Sequence, residues 1–238
     1  KAGDACPRFT AIIIKNVKIQ PSPFWMQAML SMTGMRPINN VVDISNYAMI
    51  ELGHPLHAFD YDLFNKPEVV VRKAVEGEEF TTLDNITRKL NANHLLITDG
   101  AEGVAIAGIM GGLKSEVSEK TTNILLESAY FNPITIRRGA KALGLATESS
   151  RRFERGADPN MAPFANNRAC KLIHDLAGGE ILKGLVDAYP RPFIPVEITL
   201  RPSRVEHLLG TAIGEKEITS LLSRLDIQTS AGGNIKAI

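Results

Sequence analysis

The chain has 238 residues, 44% of them hydrophobic and 22% charged, with 27 Lys and Arg against 26 Asp and Glu for a formal net charge of +1. This describes an ordinary globular chain with enough residues for one big core or two domains, and it excludes extended disorder and a uniform basic coat for non-specific binding. The longest apolar run, Ala11-Ile12-Ile13-Ile14, falls far short of the roughly 20 residues that span a bilayer, and no signal-peptide pattern opens the chain.

Phe9 to Val17 is rich in β-branched residues and predicts a strand. A helix follows, with Ser22 as its cap, Pro23 in its first turn, Phe24, Trp25, Met29 and Leu30 as an apolar stripe, and Gly34 as its stop. Asn39 or Asn40 caps a second helix, which offers Val42, Ile44, Tyr47, Met49 and Ile50 for burial. Gly53 and Pro55 end it and place His54 and His57 in a loop. From Val69 to Gly100, short β-type runs alternate with turn residues, the pattern of a small antiparallel meander. The strongest strand signal is Gly103 to Met110, running into Gly111-Gly112, and a second apolar run spans Asn123 to Ala129. Glu127 closes that run, an unusual place for a carboxylate unless something pairs with it.

Asn132-Pro133 starts a helix with Ile134, Ile136, Ala140 and Leu143 turned inward and Gly144 as its end. Asp158-Pro159 starts a longer one with Phe164, Ala165, Ala169, Leu172, Ile173 and Leu176 as its apolar face, and Glu180 to Tyr189 reads as a strand. Pro190, Pro192 and Pro195 punctuate the chain at a domain boundary. Beyond them a strand (196–200) and two helices (205–209 and 217–225) form too little to bury a core alone, as expected of a truncated domain start. The chain opens on Lys1 and stops at Ile238 with no terminating feature, so an excised piece of a longer protein is expected.

Between Ile136 and Arg155, six basic residues (Arg137, Arg138, Lys141, Arg151, Arg152, Arg155) stand against Glu148 and Glu154, a local charge of +4 on a chain of +1. Such a patch suits an anionic partner met at one place, or a solvated Arg-rich helix end. Just before the last three arginines, Thr147, Ser149 and Ser150 supply small hydroxyls suited to a tight polar pocket. Other chemistry is sparse. His54 and His57 lack the further ligands that zinc needs, so no metal is expected. Cys6 and Cys170 make neither a disulfide framework nor a nucleophile constellation, which favours a reducing, cytosolic compartment. Glu127 either pairs with Arg151 or Arg155 or awaits a ligand's donor.

The strings RPINNVVDISNYAMIELGHPLHAFD, VAIAGIMGG, NILLESAYFNP and GLATESSRRFERGADP, in that order, resemble the B3/B4 module of the bacterial phenylalanyl-tRNA synthetase β subunit over about Cys6 to Pro190. The tail ITLRPSRVEHLLGTAIGEKEITSLLSRLDI is similar to the beginning of that family's B5 domain. The resemblance implies an α+β fold: a B3/B4-type editing domain with mixed β-sheets flanked by helices over 1–190, then a linker and truncated α/β segment over 191–238. It implies a cytoplasmic α2β2 parent that attaches phenylalanine to its tRNA with ATP and Mg²⁺ at a site in the α subunit, while this module hydrolyses tyrosine mistakenly attached to the same tRNA. No cofactor or metal is then expected in this stretch. Its partners would be the tRNA 3′ end and the α subunit, with no membrane and no DNA. Carried over by motif, the editing pocket falls on His57, Gly111, Glu127, Thr147 and Ser149. The glutamate and the glycine amide would meet the tyrosine hydroxyl, the threonine and the small residue would shape the ring pocket, and His57 is the candidate for positioning water. Many relatives carry alanine where this chain has Ser149. Arg137, Arg138, Arg151, Arg152 and Arg155 become candidates for guiding tRNA phosphates. Two other readings stand beside this one: a docking scaffold that hydrolyses nothing, and a stand-alone deacylase.

Overall fold

The computed structural model describes residues 2–230 and the backbone of 235–237. The chain divides into two compact units, Lys1–Arg191 and Pro192–Ile238. In the first, strand β1 (Arg8–Lys15) leads to helices α1 (Phe24–Met32) and α2 (Asn40–Leu52) and strand β2 (Leu56–Asp60). Seven strands follow: β3 (Val70–Lys73), β4 (Glu79–Thr81), β5 (Thr87–Lys89), β6 (Leu95–Thr98), β7 (Gly103–Ile106), β8 (Met110–Gly111) and β9 (Ile124–Tyr130). Helices α3 (Pro133–Leu143), α4 (Glu148–Arg155) and α5 (Met161–Ala177) and strands β10 (Glu180–Ile181) and β11 (Val186–Ala188) complete the unit. The α+β expectation holds, and every described strand pairing is antiparallel.

The first sheet runs β10-β1-β9-β2, with β11 also on β1. Strict alternation gives it two apolar faces. Ile12 and Ile14 of β1, Ala58 of β2 and Ile124 and Leu126 of β9 join one core with Ile44 and Ala48 of α2 and Ala169 and Ile173 of α5. Phe9, Ala11, Phe59, Leu125 and Ala129 turn the other way and pack with Leu96, Ile97, Ala105 and Ile106 of the second sheet, β3-β6-β7-β8. Two buried polar side chains brace the helical layer, one tying α5 to the sheet and one the segments around α1 to α2. Asn166 of α5 donates to Thr10 Oγ1 and the Leu126 carbonyl, at 3.2 and 3.3 Å. Asp43 of α2 accepts from Ser22 Oγ at 2.6 Å and from the Ile38 amide at 2.8 Å.

Several local expectations need correction. Ser22 does not cap α1; its hydroxyl is drawn to Asp43, and Pro23 takes the N-cap position with no side-chain bond. The buried face of α1 is Met26 and Leu30, leaving Phe24, Trp25 and Met29 exposed. Asn39 does cap α2, through the Val42 amide, but Ile50 is exposed, as are Ile134 of α3 and Phe164 of α5. The apparent meander separates into two sheets, because β4 and β5 form their own hairpin and β3 pairs with β6 across it. The run from Gly103 to Met110 breaks at Gly108, whose φ of 66° turns the chain back so that β8 pairs with β7. Glu180 to Tyr189 likewise splits into β10 and β11.

The second unit holds β12 (Ile198–Leu200), α6 (Pro202–Leu209), α7 (Glu215–Ser223), β13 (Thr229–Ser230) and β14 (Ile235–Ala237). Its sheet order is β12-β14-β13. Ile218 is its buried apolar side chain among the described residues, while Leu208, Leu209, Leu221 and Leu225 are exposed.

Replacing Asn166 by Ala removes two buried hydrogen bonds, those it donates to the Leu126 carbonyl and to Thr10 Oγ1, the latter still donating to the Ser128 carbonyl at 2.6 Å. The expected cost is about 1–3 kcal/mol, read as a lower urea midpoint with an unchanged slope. An unaltered midpoint would show that these bonds do not hold α5 to the sheet.

Candidate functional site

Because β2 pairs with β9 in a register that sets His57 directly opposite Glu127, the two side chains leave the sheet on the same face, beside Ala11 of β1. That face looks toward the second sheet. His57 therefore lies on a strand rather than in the expected loop, and Glu127 sits within β9 rather than at its end. Across from them, the β7–β8 turn brings Gly111 against the His57 ring. A Cβ on Gly111 would lie 2.6 Å from His57 Cε1, 2.8 Å from Nε2 and 2.9 Å from Leu83 Cδ1, so only glycine admits this approach.

The third wall is the start of α4. Thr147 is its N-cap and accepts from the Ser150 amide at 3.0 Å, while the Thr147 amide donates to Ser150 Oγ at 3.0 Å. This reciprocal capping box, with serine in the place usually held by Glu or Gln, lets a stretch without apolar periodicity form a helix. Thr147 Oγ1 donates to the Ile109 carbonyl at 2.8 Å and Ser149 Oγ to the Gly108 carbonyl at 3.2 Å. Both hydroxyl protons are thus committed to the β7–β8 turn, and Ser149 narrows the pocket while keeping only acceptor lone pairs to offer.

His57, Gly111, Glu127, Thr147 and Ser149 all line one cavity of about 250 Å³, together with Met35, Asn46, Met49, Leu83, Phe131 and Phe153 among others. The volume lies below the roughly 300–1,000 Å³ of drug-sized ligand sites and suits one amino-acid side chain. A larger cavity of about 660 Å³ borders β1, β3 and β11 and is lined mainly by apolar residues. None of the five residues reaches it, so convergence of polar groups favours the smaller one.

The electrostatics of the small cavity are unusual. Glu127 is 5% exposed, and among the described residues its carboxylate accepts no hydrogen bond and forms no ion pair. The anticipated bridge to Arg151 or Arg155 is absent. Arg151 turns to Glu148 at 3.4 Å, and Arg152 takes Glu148 at 2.7 Å. Burial raises the Glu127 pKa to about 8 and lowers that of His57 to about 4. Both groups are therefore largely uncharged near neutrality, and the site presents neutral polar atoms within an apolar shell. His57 packs edge-on against Phe59 with centroids 4.5 Å apart. His54 is buried elsewhere, its Nε2 donating to the Ala129 carbonyl at 3.1 Å and its ring edge-on to Phe153. No group of three or more potential metal ligands occurs among the described residues.

Outside the cavity, Arg151, Arg152 and Arg155 border an open depression with Gly53, Gly156 and Glu148, the last of which also lines the cavity. Arg137 and Arg138 are exposed on α3.

Residues 5–178 match the family model described as the B3/4 domain. The chain belongs to the B3/4 domain family. Among curated relatives, it is 50% identical over 232 residues to the phenylalanine–tRNA ligase beta subunit of Moorella thermoacetica, covering 98% of this chain and 29% of that protein. It is 52% identical over 226 residues to the same subunit of Geobacter sulfurreducens and 51% over 222 residues to that of Bacillus subtilis, covering 95% and 93% of this chain and 28% of each relative. The chain thus spans under a third of the relatives it matches. A solved N-terminal fragment of the phenylalanyl-tRNA synthetase beta subunit from Pyrococcus horikoshii aligns with 98% of this chain and 65% of that one, at 14% identity and a TM-score of 0.49.

Within this B3/4 domain, Leu83 was not singled out from the sequence. It lies in a hairpin turn whose chain pattern carries no sign that the isolated pairing of Thr82 with Gly112 brings it to the cavity. Met35 and Asn46, and Met49 beyond its expected burial, also line the cavity, which depends on how α2 and the segment before it pack and not on local pattern.

The uncharged state of Glu127 has a measurable signature. Its folded pKa of about 8 lies above the ordinary 4.5, so between these values the folded chain holds a proton that the unfolded chain has lost. Stability from this group is full below about pH 4.5 and falls as pH rises toward 8, by at most about 1.4 kcal/mol per pH unit. His57 acts oppositely but only between about pH 4 and 6.5. Glu127→Gln should therefore gain stability relative to the parent between pH 6.5 and 8.5 in urea unfolding; a constant difference across that window would argue for an ionised carboxylate.

Proposed function

We propose that this B3/4 domain is an editing site that hydrolyses tyrosine mistakenly esterified to the phenylalanine tRNA, within a parent phenylalanine–tRNA ligase whose α subunit attaches phenylalanine with ATP and Mg²⁺. The observation that carries this reading is the unpartnered, buried Glu127 facing His57 in a side-chain-sized cavity. Tyrosine and phenylalanine differ by one hydroxyl. A neutral carboxyl both donates and accepts, so it matches a phenol, and it is left unsatisfied by a phenyl ring. Sites of this kind reject the ligand lacking the hydroxyl by about 10⁴-fold or more, because their buried polar groups then go unpaired. An editing site needs this direction of preference, since it must leave the correct product intact.

The chemistry asked of the site is modest. An aminoacyl ester at a tRNA 3′ end is activated, so fixing a water against its carbonyl supplies most of what is needed. Thr147 and Ser149 are poor nucleophiles here, because their protons are directed to backbone carbonyls and no base adjoins them. With a pKa near 4, His57 is a weak base and suits the task of orienting water, beside a hydroxyl of the terminal ribose. The exposed Arg155 and its neighbours Arg151 and Arg152, at a depression sharing Glu148 with the cavity, are suited to the phosphates of the incoming 3′ end. Arg137 and Arg138 extend the same charge along α3. A pure scaffold would have no use for the desolvated carboxylate.

Deacylation of tyrosyl- and phenylalanyl-tRNA, both on the phenylalanine tRNA, by the full-length ligase complex and by this chain tests the reading. The parent should remove tyrosine selectively, and Glu127→Ala should bring the two rates together while the protein stays folded. Ser149→Trp should abolish tyrosine removal by filling the pocket. Equal tyrosine hydrolysis by the parent and Glu127→Ala would exclude the assignment.

A further inference from the structure

We propose that Leu83 closes the hydroxyl end of this pocket and sets the largest para substituent it accepts, held in place by an ion-paired clamp in its own hairpin turn. The inference rests on the editing reading above and adds a specificity-determining residue to it. Leu83 is half-buried, lines the cavity, and has its Cδ1 2.9 Å from where a Cβ on Gly111 would stand, on the same small space that the His57 ring occupies. Its amide donates to the Gly111 carbonyl at 3.1 Å, fixing its backbone to the β8 wall. Since Gly111 is one of the groups assigned to the phenolic oxygen, its contact with Leu83 puts that side chain at the hydroxyl end of the pocket.

The turn bearing Leu83 is unusually constrained for one whose neighbours are exposed. Asn85 sits at φ 60°, and its amide closes the turn on the Thr82 carbonyl at 2.9 Å. Arg88 grips Asp84 with two bonds of 2.7 and 2.8 Å and also reaches Thr82 Oγ1, while Thr82 Oγ1 donates to Asp84 at 2.6 Å. Thr82 itself is buried and bridges to Gly112. Both ends of Leu83 are thereby fixed, by the clamp on one side and by Gly111 and Gly112 on the other. None of Thr82, Asp84 or Arg88 lines the cavity, so they are positioning residues that act through Leu83.

The test uses full-length ligase and phenylalanine tRNA carrying either tyrosine or O-methyltyrosine, which adds one methyl group at the phenolic oxygen. The parent should hydrolyse tyrosyl-tRNA far faster than O-methyltyrosyl-tRNA. Leu83→Ala should raise the O-methyltyrosine-to-tyrosine ratio of kcat/KM by about tenfold or more, the scale of discrimination that one carbon carries in an apolar pocket. Arg88→Ala and Asp84→Ala should move the ratio in the same direction by less, and the reversed pair Asp84→Arg with Arg88→Asp should recover part of the parental ratio. Leu83→Val gives a smaller step in the same direction and keeps the question open to measurement if the alanine variant unfolds. A ratio unchanged in folded Leu83→Val and Leu83→Ala proteins that still remove tyrosine overturns the role of Leu83. Absence of tyrosine hydrolysis in the parent would instead remove the editing reading itself.

Discussion

The pairing of β2 with β9 fixes more of this molecule than any other single interaction. Both faces of the first sheet are buried, one under α2 and α5 and the other under the second sheet, so a slip of one residue on either strand would exchange the two sets of side chains. Glu127 would then enter the helical core in place of Ile124 and Leu126, which are fully buried there, with no room for a ligand. Phe59 and Leu125, paired with each other two residues along the ladder from His57 and Glu127, anchor the correct register from the core shared with the second sheet. A cross-strand pair of polar residues is therefore carried into an apolar interface by the apolar residues around it, and the two cannot be moved independently.

Such an arrangement has a cost. A buried carboxyl without a partner is disfavoured by about 1–3 kcal/mol relative to one that is bonded, and an ionised one by much more. An ion pair between Glu127 and His57 would not remove that burden, because desolvating both charges often outweighs their attraction in a low-dielectric interior. With both groups neutral, the site retains unsatisfied hydrogen-bonding capacity that only a polar ligand atom can use. Sequence rules for a well-formed core are broken here and at few other places in the first unit, as expected where structure is kept for function rather than stability.

Much of this was legible beforehand, and the failures have physical causes. Where a side chain caps locally the helix ends were readable: Asn39 and Gly53 bound α2, and Asn132 and Gly144 bound α3, whereas α1 and α5 start without the expected Ser22 cap or Asp158-Pro159 start. Which face a short helix buries was not, since α1 places its aromatic residues outward and only tertiary packing decides that. The five site residues came from resemblance, not periodicity; what the sequence alone offered was the oddity of a carboxylate in an apolar strand. Its lack of an arginine partner was out of reach, because Glu148 competes for Arg151 and Arg152 only once α4 forms. Leu83 was invisible because its role depends on a pairing between Thr82 and Gly112, 30 residues apart.

The pocket's walls come from β2, β9, the β7–β8 turn, the start of α4 and the tip of the β4–β5 hairpin, and short hydrogen bonds join several of these directly. Thr147 and Ser149 bind α4 to Ile109 and Gly108, and Leu83 binds the hairpin to Gly111. The site is therefore assembled before any ligand arrives, and its selectivity does not have to come from closure around the substrate. On the editing reading proposed above, two rings of nearly equal size are told apart by a few fixed atoms: a hydroxyl would satisfy Glu127, while a bare ring edge would leave it buried and unpaired, so preorganisation would turn a one-atom difference into a large one. The same rigidity governs Ser149: tethered to the Gly108 carbonyl, its hydroxyl adds bulk to the wall with its proton already committed to the turn.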